Sequence, residues 1–390
     1  VQAWAIVWHV FALTADPYMV GLLGLCRVVP GVLLALVGGL VADSFDRRVT
    51  VLVVQALWAL VAGGLALLSA MGLVTVWIVY GAVVFIGAIR AFEMPARAAI
   101  VPTLVPREHF PNAVSIHSVS WRLAEVLGPA VLGVILSLAP FNVGAQLVHP
   151  IALCYLFNFL SFFAMLAALI RLGPCPPQTE GEEDHPRTLR DAVRFVREGI
   201  SFVSRNRVVR SSMLIDFWAT FFSSADALLP FFAANILAVG AWGYSVMVGS
   251  IAVGSLVASG VLAWLPPVRR QGRGVIICIA AYGLCTVGFG LSPWFWLSVI
   301  LLAGTGAADT VSTVYRQTIR QLATPDRMRG RMTSLSSLFF MTGPQLGDYE
   351  AGVLARFTGE RFSVAAGGVA CLGVAALWWR GKDLKNYVHE

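Results

Sequence analysis

Ionisable residues set inside long apolar runs are where this 390-residue chain could do chemistry. A charge at the centre of a bilayer costs roughly 2.5–3.5 kcal/mol on insertion scales, so it normally faces a bundle interior, a cavity or a partner. Arg122 and Glu125 are spaced i, i+3 in the run 112–137 and can share one helix face. They suit either a fixed ion pair or a carboxylate that exchanges a proton while the guanidinium tunes it. Asp216 and Asp226 share the run 210–236, Asp216 towards its charged end and Asp226 deeper, amid Phe221, Phe222, Ala225 and Leu228. Protonating a carboxylate in such surroundings removes most of the penalty of a dry interior. Asp309 follows Gly304 and Gly306 in the run 295–317, with Arg27 of the run 19–41 as a candidate counter-charge. The proton-coupling candidates are therefore Glu125, Asp226, Asp309, Arg122 and Arg27. Packing hydrogen bonds or static pairs are the alternative for each. His9 and Asp16 lie on or beside the first run, where a hydrogen-bonded structural histidine competes with a titrating one. Asp348 and Glu350, near the outer end of 328–352, suit either an outer vestibule that attracts a cation or basic compound, or a wet helix end.

Other chemistries find no support. There is no GxxxxGK[ST] phosphate loop, no HExxH, no Cys/His cluster and no Ser/His/Asp arrangement. The six cysteines show no CxxC pair. The expectation is a protein that is not an enzyme and needs no cofactor or metal.

The elements that position these residues follow from composition. Hydrophobic residues make up 58% of the chain and charged residues 13%, against about 25% charge in a soluble domain. Apolar runs recur at 1–14, 19–41, 50–70, 73–92, 112–137 and 149–171, then at 210–236, 242–265, 273–292, 295–317, 328–352 and 362–380. A spanning helix needs about 20 residues, so the first run reads as the end of a truncated helix and the rest as eleven full crossings. If the first run leads outward, the segments 42–49, 90–111, 171–210, 266–273, 316–331 and the tail hold every Lys and Arg except Arg27, Arg122, Arg356 and Arg361. That asymmetry predicts both termini on the cytoplasmic side. It also explains the formal charge of +7 without a nucleic-acid partner. Most Trp residues read as an interfacial belt, and the deeper Phe157, Phe159, Phe162, Phe163, Phe217, Trp218, Phe221 and Phe222 as bundle packing, lipid-facing surface or a pocket wall.

The polar stretch 172–209 opens Gly173-Pro174-Cys175-Pro176-Pro177, passes an acidic patch (Glu180, Glu182, Glu183, Asp184) and ends as an amphipathic helix expected at the membrane surface. The predicted domains are a bundle over 1–171, a cytoplasmic linker over 172–209, a second bundle over 210–380 and a tail over 381–390. The bundles repeat. Gly87, Arg97, Pro106 and Gly133 correspond to Gly306, Arg316, Pro325 and Gly352 at a constant offset of 219 residues. Each half also carries a Gly-Pro step: Gly128-Pro129 before Gly133, and Gly343-Pro344 before Gly347. Such repeats underlie alternating access, in which two similar halves rock about a central site.

The turn Gly39-Leu40-Val41-Ala42-Asp43-Ser44-Phe45-Asp46-Arg47-Arg48 joins the second and third runs. Gly39, Asp43, Arg47 and Arg48 suit a latch that forms in one conformation and breaks in another, or else a charged turn that fixes topology. Here the chain resembles the major facilitator superfamily, whose loop signature is Gly-x-x-x-Asp-Arg-x-Gly-Arg-Arg/Lys. It departs at Ser44 and Asp46. The second-half copy keeps Gly260 but has Trp264 at the acidic position and Arg269-Arg270 one residue late. Within that superfamily, Glu93-Met94-Pro95-Ala96-Arg97-Ala98-Ala99-Ile100-Val101-Pro102 and Pro325-Asp326-Arg327-Met328-Arg329-Gly330-Arg331 resemble the drug and siderophore exporters, which include enterobactin and macrolide efflux proteins. Leu127-Gly128-Pro129-Ala130 resembles the step associated with antiporters.

The resemblance implies an all-α polytopic membrane protein with the major facilitator fold, two six-helix bundles in pseudo-twofold arrangement. It implies a secondary active exporter of a small amphipathic compound, exchanged for protons, in a bacterial inner membrane. The expected partners are membrane lipids, the compound and protons, with the chain a monomer or associated with a larger membrane complex. A lipid or lysophospholipid translocator and a non-transporting scaffold are the alternatives.

Overall fold

In the computed structural model the chain is helical almost throughout. The structure describes residues 1–138, 148–173, 175, 189–265, 270–381 and 383–387, without side-chain placement for 42–43, 98–99, 101–104, 107, 110–111, 114–115, 148–149 and 189. The acidic patch 180–184, Arg269 and the side chain of Asp43 therefore lie outside the described residues.

The first half supplies α1 (Gln2–Thr14), α2 (Pro17–Ser44), α3 (Arg47–Ala70), α4 (Val76–Leu104), α5 (Phe110–Ser137) and α6 (Val148–Arg171). A short α7 (Leu189–Arg205) leads into α8 (Arg207–Ser223), a three-residue α9 (Leu229–Phe231), α10 (Gly240–Trp264), α11 (Gln271–Leu291), α12 (Phe295–Leu322), α13 (Asp326–Thr358) and α14 (Glu360–Arg380). Among the described residues, ten helical segments are long and apolar enough to cross a membrane. The 13-residue α1 is short for a crossing. The 33-residue α13 is long enough, at about 1.5 Å per residue, but crowds Asp326, Arg327, Arg329 and Arg331 into its first two turns.

Two compact units form, residues 1–14 with 26–195, and residues 15–25 with 196–390. In the first, α3 packs on α6 and α4, and α1 on α6 and α4. Small residues let α2 and α4 approach closely: a side chain at Gly38 would meet the Ala91 carbonyl at 2.0 Å, and one at Gly87 the Arg27 carbonyl at 2.6 Å. In the second unit, α12 packs on α10 and α11, α11 on α14, and α8 on α13 and α14. A core of Ile215, Val275, Ile276, Ile279, Ile319 and Cys371 joins α8, α11, α12 and α14.

One local outcome differs from the expectation, and two add to it. The run 210–236 is not one helix. It stops at Ser223, resumes as a 3-10 turn over Asp226–Leu228, and ends in a π-helical turn over Phe232–Ile236. Pro230 lacks the N–H that a continuous helix would give to the carbonyl four residues back. The end of α7 is covered by protein, with Phe202 and Val203 packed against Val209, Met213 and Met332, while Val193 and Ile200 stay exposed. The tail folds back, with Leu384 1% exposed in the α8–α11–α14 core.

Candidate functional site

The densest chemistry in the second unit sits where α8 meets α12. Asp309, Ser312, Thr313, Arg316 and Arg320 recur at helical spacing, so α12 presents them on one face. Arg316 Nη2 lies 2.9 Å from Asp216 Oδ1 and 3.4 Å from Asp309 Oδ1. It also donates to Thr313 Oγ1 at 2.8 Å, while Nη1 donates to Ser312 Oγ at 2.8 Å. Arg320 Nη1 is 3.5 Å from Asp216 Oδ2. The side chains of Arg316 and Asp216 are 1% and 2% exposed, but that of Asp309 is 39% exposed. Two guanidiniums thus face two carboxylates, three of the four charges out of solvent. A buried ion pair holds only when geometry and extra hydrogen bonds offset desolvation; the hydroxyls of Ser312 and Thr313 supply such bonds to Arg316, while the Asp216 oxygens, Arg316 Nε and Arg320 Nη1 make none. Asp309 is the accessible member. Both carboxylates meet the same nitrogen, Nη2 of Arg316.

Farther along α8, the carboxylate of Asp348 on α13 is 5% exposed and bridges the helix break, accepting from Ser224 Oγ at 2.7 Å and Ala227 N at 3.3 Å. It is buried between helices where a vestibule position was expected. Asp226 stands at the start of the 3-10 turn, half-buried, and Glu350 is half-buried on α13. Gly343 and Gly347 bring α13 onto α8, where side chains would meet Thr220 Oγ1 at 2.5 Å and the Phe221 carbonyl at 2.3 Å. Phe217, Trp218, Phe221 and Phe222 stack on one another along α8. Asp16 accepts from Tyr18 N at 2.9 Å and pairs with Arg356 at 3.4 Å.

In the first unit, Arg122 and Glu125 pair at 3.2 Å, both part-exposed, and Trp121 Nε1 donates to Glu125 Oε1 at 2.8 Å. The Arg97 guanidinium lies over the Trp121 ring and 3.4 Å from Glu93, which also accepts from Gln55 at 3.1 Å. Gly128 and Pro129 lie inside a continuous α5, with Gly133 buried one turn on. His9 is buried against the Tyr155 hydroxyl at 3.0 Å. Arg27 donates to the Ala3 carbonyl at 3.2 Å. In the loop, Arg48 donates from Nε and Nη2 to the Leu169 and Ile170 carbonyls at 2.8 and 2.7 Å, the exposed acceptors of the α6 C-terminus. Asp46, the departure from the superfamily signature, caps α3 through Arg48 N at 2.8 Å and receives Cys175 N at 3.4 Å. Arg47 N donates to the Cys175 carbonyl at 3.1 Å. Gly39 faces open space.

A cavity of about 590 Å³ between α3 and α6, lined by Leu60, Gly63, Leu67, Leu153, Leu156 and Phe159 among others, is apolar and lacks these charged groups. Sequence reading placed Arg316 and Arg320 in a loop at 316–331. The structure carries α12 on to Leu322 and buries both. The signal was present: Arg316 aligns with Arg97 at the repeat offset, and seven residues separate it from Asp309 on one face.

The fold matches known transporters. A bacterial homologue of the human lysosomal transporter Spinster superposes with a TM-score of 0.70 at 14% identity, over 98% of this chain and 94% of that one. A POT family transporter in complex with a thioalcohol-conjugated peptide gives 0.71 at 12%, over 97% and 92%. In sequence, the enterobactin exporter EntS of Escherichia coli O81 (strain ED1a) is 25% identical over 342 residues, 88% of this chain and 78% of that protein. Residues 1–385 match the MFS family described as transmembrane secretion effector. The chain belongs to that family: it is a major facilitator membrane transporter, a protein of secondary transport of a small molecule across the bilayer.

Proposed function

We propose that the protein exports a small amphipathic compound in exchange for inward protons, by alternating access in a bacterial inner membrane with both termini cytoplasmic. The observation that carries the reading is the four-charge cluster on α8 and α12, in which Arg316 is shared between buried Asp216 and accessible Asp309. A carboxylate that can reach solvent while bonded to a buried guanidinium is suited to trade its proton against that bond. Export of a siderophore-like or drug-like compound is supported by the likeness to EntS, an enterobactin exporter. In this reading Glu125, Arg122, Asp226 and Arg27 are secondary coupling positions, and Gly39, Asp43, Arg47 and Arg48 form a latch. The Gly128-Pro129-Gly133 step lets α5 flex, and Glu350 faces the outer entrance. The test is transport in inside-out vesicles against a panel of catecholate and amphipathic dye substrates under an imposed pH gradient. Asp309→Asn is expected to abolish gradient-driven accumulation while leaving downhill movement. Gradient-driven accumulation unchanged in both Asp309→Asn and Glu125→Gln would refute proton coupling through these groups.

A further inference from the structure

The ends of α8 and α14 enclose a feature that the transport cycle above does not use. Arg207 is the first residue of one membrane-spanning segment and Arg380 the last residue of another. Between them lies a groove of about 250 Å³ lined by Arg207, Arg210, Ser211, Leu214, Leu377, Trp378, Gly381, Asp383 and Leu384. Its polarity is graded. Arg207 and Arg210 are exposed at the mouth, and Leu214 and Leu377 lie about a turn further into the two spans, Leu377 being 62% exposed. The walls are fixed. Trp378 Nε1 donates to Ser211 Oγ at 2.8 Å and to the Ser211 carbonyl at 3.2 Å, and Arg210 Nη1 donates to the Ser204 carbonyl at 3.0 Å. The folded-back tail supplies the floor, because Leu384 is anchored in the core. Two guanidiniums against the Asp383 carboxylate leave the groove net positive.

We infer that this groove binds an anionic phospholipid, its phosphate between Arg207 and Arg210 and an acyl chain along Leu214 and Leu377. Guanidinium groups pair with phosphate oxygens through parallel N–H donors, and basic groups at the polar edge of a membrane attract anionic headgroups. The apolar half decides between a lipid and a free anion: an inorganic phosphate would leave Leu377 uncovered, whereas a lipid covers it and continues into the bilayer. The site is independent of which compound is transported. A bound lipid would clip the tail to α8 and so stabilise the core beneath it.

The measurement is lipid retention by native mass spectrometry, with thermal midpoints, on the full chain in detergent micelles. The probes are dioleoylphosphatidylglycerol, dioleoylphosphatidylcholine and sodium phosphate. Phosphatidylglycerol is expected to be retained over phosphatidylcholine and to raise the midpoint. Arg207→Gln with Arg210→Gln is expected to weaken retention roughly tenfold, while Arg207→Lys with Arg210→Lys keeps much of it. Leu377→Trp, an exposed position that fills the groove without touching charge, should lose the lipid as well. This variant carries the test if the double glutamine variant does not fold. Retention unchanged in the glutamine and tryptophan variants, equal retention of phosphatidylcholine, or stabilisation by sodium phosphate alone equal to that by lipid would each overturn the proposal.

Discussion

Glu93–Arg97 in the first unit and Ser312–Arg316 in the second lie 219 residues apart and share one local geometry: an arginine donates to the side chain four residues back on its helix. Their surroundings differ. The Arg97 side chain is 42% exposed, and a carboxylate at 3.4 Å and an indole face suffice for it. Arg316 is 1% exposed and has two carboxylates and two hydroxyls around it. A surface pair is worth about 0–1 kcal/mol because water screens it and competes for it. Breaking a buried pair from one side costs about 3–5 kcal/mol because the other charge is stranded. The same position of the repeat thus holds a half-solvated arginine on a largely buried carboxylate in one half and a fully buried arginine between two carboxylates in the other.

Asp216→Asn is the sharpest way to break this contrast. It takes from Arg320 its carboxylate and leaves Arg316 only the longer contact to Asp309, and should destabilise the protein by about 3–5 kcal/mol. Glu93→Gln should remain within about 1 kcal/mol. Thermal midpoints in detergent check both, and similar shifts would erase the distinction. Next come the glycines at the same repeat offset. A side chain at Gly306 would meet the Ile251 carbonyl at 2.0 Å, and one at Gly87 the Arg27 carbonyl at 2.6 Å. Overpacking costs about 1–3 kcal/mol, so Gly306→Ala and Gly87→Ala should both lower the midpoint, Gly306→Ala more. In this respect the halves behave alike. Arg316→Lys keeps the charge but loses the fork that reaches four partners, a loss of about 1–2 kcal/mol. Arg97→Lys should be nearly silent in the same assay. Smallest is Glu125→Gln: its pair is part-exposed, so stability should move by less than about 1 kcal/mol. A change in Trp121 fluorescence would report the loss of the negative charge beside its indole N–H.

Much of the fold was legible because lipid makes the apolar run the unit of structure: once backbone groups must bond internally, long runs are helices. The site was legible only in part. Spacing placed Arg122 on Glu125 and Asp309 on a helix face near glycines. Asp309 pairs within its own helix with Arg316 and shares that arginine with Asp216 on α8, a contact that spacing alone did not reveal. Reading arginines as loop markers hid Arg316 and Arg320, because a topology rule counts charges without asking which have partners. The break in 210–236 was hidden for a related reason. Hydropathy is continuous across Ser223, Ser224 and Pro230, and only backbone bonding distinguishes a continuous helix from a jointed one.

A jointed rod transmits a push along its length but not a twist. The gap after Ser223 is spanned by one carboxylate, Asp348, reaching across from α13. The portion of this segment that carries Asp216 stays pinned by Arg316 and Arg320, so bending is confined to the joint itself. Amide exchange at 224–228 would register that bending, faster than in the unbroken α10 or α11.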